Sequence, residues 1–246
     1  MGFNLKNHPF AVEAHFEQSI VLTYAVPKEQ LLRLLPPCLE LDAYDDKWGF
    51  VAAALVRTKD LRPKGFPKWM GHDFTLIGYR IFVRYTDERG KRLRGLFILK
   101  SETDKRSMEF LGNVFTHYAY TTSDISTTQT TEGEEIVSVR SSFQMEIRNT
   151  TAEVPLPALS PFPDWKTARR FAGPLPYTFT YLPDTNQVLI IEGMRENWIP
   201  EPVSVGRHSF GFFHQLGLTE MTLANAFVLR GIDYVWKKGR LERWPK

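Results

Sequence analysis

Four charged side chains, Lys100, Glu102, Asp104 and Lys105, stand within six residues, with Arg106 next, directly after the apolar run Leu96-Phe97-Ile98-Leu99. A continuous apolar run of this kind is a strand covered on both faces, so an abrupt change to mixed charge at its end sets amines and carboxylates at the rim or floor of a core. Desolvation in such a place shifts pKa values, and shifted pKa values are what acid–base and nucleophilic chemistry requires. A second group of polar side chains lies on neighbouring strands. Arg80 and Arg84 in YRIFVRY share one parity, so the register that points one of them inward points both. In THYAY, Tyr118 and Tyr120 share a face and His117 lies on the opposite one.

The elements that must position these residues are mostly strands. Residues 19–25 are apolar and β-branched; Pro27 then opens a short helix, KEQLLRLL, with Leu31, Leu34 and Leu35 inward, which Pro36-Pro37 stop. Strands are expected over 48–56, 79–85 and 93–99, the last two joined by a hairpin turn at TDERGKR, and a basic loop over 57–73. A helix follows from Asp104, as N-cap, to Gly112, as C-terminal glycine. Further strands are expected over 114–121, 126–131 and 136–148, with an acidic turn at Glu132-Gly133-Glu134-Glu135. The stretch VPLPALSPFP is a loop; Asp164 caps a helix through Ala172; residues 177–182 and 187–191 form a hairpin; and LANAFVLRGIDYVW is a long last strand. Many strands, few short helices and no β-α alternation predict a mainly β (β-rich α+β) chain whose sheet closes into a barrel or curved sandwich. Residues 1–246 are expected to form one domain, since all-β units of this size are common.

Composition narrows the classes of function. The formal net charge is +3, with acidic and basic residues interspersed, so no nucleic-acid partner is indicated; the aromatic-bearing basic cluster Arg57, Lys59, Arg62, Lys64 and Lys68 reads as a solvated lid. The single cysteine, Cys38, allows no internal disulfide and fits a reducing compartment. No stretch of about 18 apolar residues and no signal-length apolar start are present, which points to a cytoplasmic protein without membrane partners. His72, His208 and His214 are scattered without a carboxylate at ligand spacing, and Ser101 lacks a nucleophile-elbow context, so neither a metal nor a serine hydrolase is indicated. No cofactor is implied.

PFAVEAHFEQSIVLTYAVPKEQLLRLLPPCLELD resembles the opening of the acetoacetate decarboxylase-like superfamily, and LANAFVLRGIDYVW resembles its last strand. YRIFVRY with RGLFILKSETDKRSMEFLGN is most similar to the uncharacterised bacterial branch called domain of unknown function 2071. The resemblance spans nearly the whole chain. It implies a cone-shaped antiparallel β-barrel with an internal cavity, a small-molecule ligand and self-association. In the decarboxylases a lysine of depressed pKa, beside a second cation, forms an iminium with a keto acid. By that resemblance Lys105 falls on the nucleophile and Arg106 on the second cation, ahead of Leu111-Gly112, with Lys100 as a second candidate and Glu102 and Asp104 as acid–base partners. The family's first-strand arginine has no counterpart in His15-Phe16-Glu17-Gln18, and Arg80 or Arg84 is the substitute if it points inward.

Two readings follow. One is an enzyme acting on a small keto acid through a cavity lysine. The other is a non-catalytic barrel that binds a small hydrophobic or acidic ligand. In either, Arg80, Arg84, Asp104, His117 and Tyr118 are the candidate ligand-binding residues.

Overall fold

The computed structural model describes residues 4–150, 153–196 and 199–244. Fifteen strands are described: β1 (Val12–Pro27), β2 (Glu40–Leu41), β3 (Trp48–Pro63), β4 (His72–Thr86), β5 (Arg92–Thr103), β6 (Tyr120–Thr122), β7 (Ser126–Thr130), β8 (Gly133–Ser138), β9 (Phe143–Arg148), β10 (Tyr177–Leu182), β11 (Gln187–Arg195), β12 (Glu201–Pro202), β13 (Ser204–Phe210), β14 (Thr222–Trp236) and β15 (Arg240–Arg243). Four short helices interrupt them: α1 (Lys28–Leu32), α2 (Arg106–Phe115), α3 (Trp165–Ala172) and α4 (Gly211–Gln215). The mainly β expectation therefore holds.

In the larger sheet β14, β1, β3, β4, β5, β10 and β11 are neighbours in that order, and β11 pairs back onto β14, closing a barrel. Every ladder in this ring is antiparallel except β5 with β10. A second sheet, ordered β13-β9-β8-β7, covers the outside of the barrel together with α4. There Ile136, Phe143, Met145, Phe210 and Phe213 pack against Tyr24, Leu55 and Tyr79. The barrel interior is filled at one end by Phe50, Phe82, Phe162 and Phe227 with Ala168 and Ala172 of α3. Each such aromatic contributes roughly 1.5–3 kcal/mol on full burial, so this end is a sealed plug.

The plug is held by specific polar contacts. Asp164 caps α3 as expected, its Oδ1 accepting the Thr167 N–H at 2.7 Å. At the other end of α3, Arg94 donates to the carbonyls of Arg170 (2.7 Å) and Phe171 (3.3 Å) while its Nη2 sits 2.6 Å from Asp42 Oδ2. Asp42 is fully buried and pairs also with Arg84.

Several expected boundaries move. Strand β3 continues to Pro63 and β4 begins at His72, so the expected loop over 57–73 shrinks to residues 64–71. Pairing with β1 holds the extra residues in the sheet. The expected strand 136–148 is two strands around a turn, and most of the expected acidic turn belongs to β8. Helix α2 starts at Arg106, with Lys105 as N-cap and no side-chain cap; the carboxylate of Asp104 instead accepts the Thr75 N–H at 2.8 Å, tying the end of β5 to β4. The helix runs through Gly112 to Phe115, so residues 114–121 are not a strand and only β6 is. Gly112 is there for contact, not termination, because a Cβ at that position would lie 2.4 Å from the Tyr120 ring. No helix of the described residues is long and apolar enough to cross a membrane.

Two stability predictions follow from these contacts. Asp164→Ala removes the cap of α3 and is expected to lower unfolding free energy by about 1 kcal/mol, read as a lower denaturant midpoint at unchanged m value. His8 is buried (7% exposed), and burial, opposed in part by a hydrogen bond with the Trp236 backbone, lowers its pKa to about 4. The unfolded chain therefore binds this proton first: stability is complete above the ordinary histidine value and falls as pH drops from about 6.5 toward 4. The loss reaches roughly 3 kcal/mol, and His8→Asn is expected to flatten the midpoint-versus-pH curve over that interval.

Candidate ligand site in the barrel

Between the plug and the opposite mouth the barrel encloses a cavity of about 150 Å³. Its wall is apolar over Phe16, Val21, Ala52, Phe82, Leu96, Ile98 and Phe227. The polar side chains of its lining are Ser19 of β1, Arg80 of β4, Ser101 of β5, Tyr118 and Tyr120 beyond α2, Thr178 of β10, Arg195 of β11 and Tyr234 of β14.

Alternation along β4 explains how Arg80 arrives there. Gly78, Arg80 and Phe82 face the cavity, while Tyr79, Ile81 and Val83 face the outer core. The surface that Arg80 retains belongs to the cavity wall, and its Nε has no hydrogen-bond partner. Burial pulls its pKa below the usual guanidinium value, and the nearby Arg195 adds repulsion, against the offsetting influence of Tyr234, Tyr120 and Tyr118. A guanidinium stays protonated in proteins, so the cavity holds a desolvated cation. No carboxylate among the described residues lies within ion-pair distance of Arg80, and none lines the cavity.

The surrounding hydroxyls are donors. Tyr118 and Thr178 are 2.8 Å apart, and Arg195 Nη1 donates to the Tyr234 hydroxyl at 3.4 Å with its guanidinium over the ring. Burial raises the phenol of Tyr118 and lifts that of Tyr120 to about 12, and burial also raises Tyr234. All three therefore keep their protons at neutral pH. Gly193 makes room for this cluster, since a Cβ there would meet the Tyr234 hydroxyl at 1.9 Å. Two cations and several O–H groups face a space lined by no acidic residue among those described, an arrangement whose donors an anion could accept from. Among the described residues no group of three His, Cys, Asp or Glu is placed to hold a metal.

The other expected site residues are distributed elsewhere. Leu99 is an extra residue in β5, because Tyr79 pairs with Lys100 and Arg80 with Ile98. This bulge leaves Ile98 and Ser101 facing the cavity and sends Lys100 and Glu102 to the outer face. There Lys100 Nζ is 2.6 Å from Glu102 Oε1 and 5.4 Å from the centre of the Phe212 ring, and Glu102 accepts from the Tyr79 hydroxyl at 3.1 Å. Lys105 and Arg106 are exposed at the start of α2 and line no part of the cavity. Arg84 lies beyond the plug in its pair with Asp42. His117 is half-buried, its Nε2 3.2 Å from Asn7 Oδ1, and burial followed by the Lys6 charge lowers its pKa. Of the ligand-binding candidates, Arg80 and Tyr118 meet in the cavity. Arg195 and Tyr234 were missed. The available signal was weak: Arg195 ends the apolar run QVLIIEGM, and Tyr234 shares parity with Ile232 and Trp236.

Comparison with known proteins places this geometry. No curated protein matches the chain. An acetoacetate decarboxylase from Legionella pneumophila has a similar structure at a TM-score of 0.60 and 13% identity, over 95% of this chain and 88% of that one. An acetoacetate decarboxylase-like enzyme from Sphingomonas wittichii matches at 0.57 and 13% identity, over 96% and 94%. The enduracididine biosynthesis enzyme MppR, complexed with pyruvate, matches at 0.56 and 11% identity, over 95% and 90%. The fold is thus acetoacetate decarboxylase-like, and since residues 13–231 match the family described as DUF2071, uncharacterised conserved protein, the chain belongs to that family.

Proposed function

We propose that this protein binds a small organic carboxylate inside its barrel through Arg80, assisted by Arg195 and the protonated tyrosines, without forming a Schiff base. The observation that carries this reading is the Arg80 guanidinium, buried in the cavity wall with no carboxylate of the described residues beside it. A buried cation of this kind is costly until an anion joins it, and a carboxylate accepts two parallel hydrogen bonds from a guanidinium. The names of two structural neighbours point the same way, toward acetoacetate and pyruvate, which are both small carboxylates. A lysine iminium would need Lys100 or Lys105 to enter the cavity. Lys100 would have to abandon Glu102 and cross the sheet, and Lys105 stands exposed on α2. Binding requires no such change. The barrel draws strands from both halves of the chain, which supports one domain over residues 1–246.

Calorimetric titration with acetate, pyruvate and acetoacetate tests the reading. Binding is expected in the unaltered protein, with Arg80→Met weakening it about 10- to 100-fold, the effect of losing hydrogen bonds to a charged group. Ligand-free Arg80→Met is expected to be more stable than the parent by about 1 kcal/mol or more, since it removes a desolvated cation. Unchanged carboxylate affinity in that variant would overturn the assignment. Borohydride added in the presence of pyruvate or acetoacetate is expected to leave Lys100 and Lys105 unmodified by mass spectrometry; an adduct on either would restore the iminium mechanism.

A further inference from the structure

A second cavity, of about 310 Å³, adjoins the first at the barrel mouth. Leu76, Tyr118, Tyr120 and Trp236 line both. The outer one is bounded by the ends of β3 and β4, the 64–71 loop and one face of α2, and its wall includes Val12, Leu61, Phe74, Met108, Leu111 and Phe115. Its wall is mainly apolar, with His8, Thr58, His72 and Thr116 as polar members besides the shared tyrosines. Arg62, the sole Lys, Arg, Asp or Glu among its described lining residues, is spent on Glu13 at 2.7 Å and on the carbonyls of Asp60 and Phe66, both at 2.8 Å. On its rim Phe10, Phe66 and Met70 are 37%, 48% and 41% exposed. The two spaces in series therefore offer a desolvated cation in the inner one and a mainly apolar chamber outside it.

We infer that the ligand is an amphipathic monocarboxylate whose head reaches Arg80 while its aliphatic or aryl tail passes Tyr118 and Tyr120 into the outer chamber. This inference rests on the anion site proposed above and adds the tail. A doubly charged acid would bring its second carboxylate against a wall of mainly apolar side chains whose one Lys or Arg among the described residues, Arg62, is already paired with Glu13, which is unfavourable. An apolar tail instead removes that surface and its own from water. The size of the chamber limits the tail: ligand pockets for drug-sized molecules run from about 300 to 1,000 Å³, and this one lies at the small end. A chain of medium length or a single aryl ring fills that volume, and the rest of a longer chain would extend past the rim into water. Arg80 and the two tyrosines serve the head, so head and tail are read by different walls.

A chain-length series of straight carboxylates from acetate to octanoate, titrated into the unaltered protein, tests this. Once the chain passes the tyrosines, affinity is expected to rise about fourfold per added methylene, the ratio that corresponds to roughly 0.8 kcal/mol. 1-Octanol, which keeps the tail and lacks the charge, is expected to bind more weakly than octanoate. Leu111→Trp, which fills the chamber, is expected to weaken octanoate and to flatten the series; should that variant fail to fold, the series on the unaltered protein decides alone. Affinity that is flat or falls with chain length, while short carboxylates bind and Arg80→Met abolishes their binding, would sink the tail and leave the anion site standing. Octanol binding as tightly as octanoate, or octanoate binding unaffected by Arg80→Met, would sink the anion site itself.

Discussion

Closure of the barrel rests on a short ladder, Gly193 with Trp236, Met194 with Val235 and Arg195 with Tyr234, where β11 meets β14. Everything distinctive about the interior depends on it. An open sheet would leave Arg80 beside bulk water, where a guanidinium is well solvated and has no particular demand for a partner. Closing the ring turns one face of seven strands into a low-dielectric chamber, and the same ladder delivers Arg195 and Tyr234 to the wall that Arg80 faces. The absence of a side chain at Gly193 lets the Tyr234 hydroxyl sit where a Cβ would otherwise be. The pairing that seals the barrel is therefore also the pairing that assembles its cation pair.

The contrast between Arg80 and Arg84 shows how position decides the role of one residue type. Both sit on β4 and point to the same face. Arg84 reaches the plugged end, where the buried carboxylate of Asp42 joins it with Arg94 and ties α3 to the sheet. Arg80 lies four residues earlier, beside the open volume, where the described residues offer it hydroxyls and another cation. The charge of Arg84 is satisfied within the fold, and that of Arg80 meets no carboxylate among the described residues.

A single inserted residue decides which way Lys100, the second lysine candidate, points. Without the bulge at Leu99, strict alternation along β5 from Ile98 would bring Lys100 onto the cavity face. With it, Lys100 and Glu102 lie on the outer face, paired with each other, Lys100 over the Phe212 ring and Glu102 accepting from the Tyr79 hydroxyl. The fold of the acetoacetate decarboxylase-like proteins is retained at low identity, while its interior presents arginine and tyrosine.

Local signals in the chain were enough for the strand-rich class, the places of the longer strands though not the full extent of β1, β3 and β4, the Asp164 cap and the family, because apolar periodicity, proline and cap residues act locally. The sequence also marked Arg80 and Tyr118 as candidates from their types and parity. Long-range packing was needed to show which face of β4 is interior, that α2 runs through Gly112 to meet the Tyr120 ring, and that Arg195 and Tyr234 stand near Arg80. Those facts depend on contacts between residues far apart in the chain and on one bulge, and a one-residue change of register reverses the direction of every side chain beyond it.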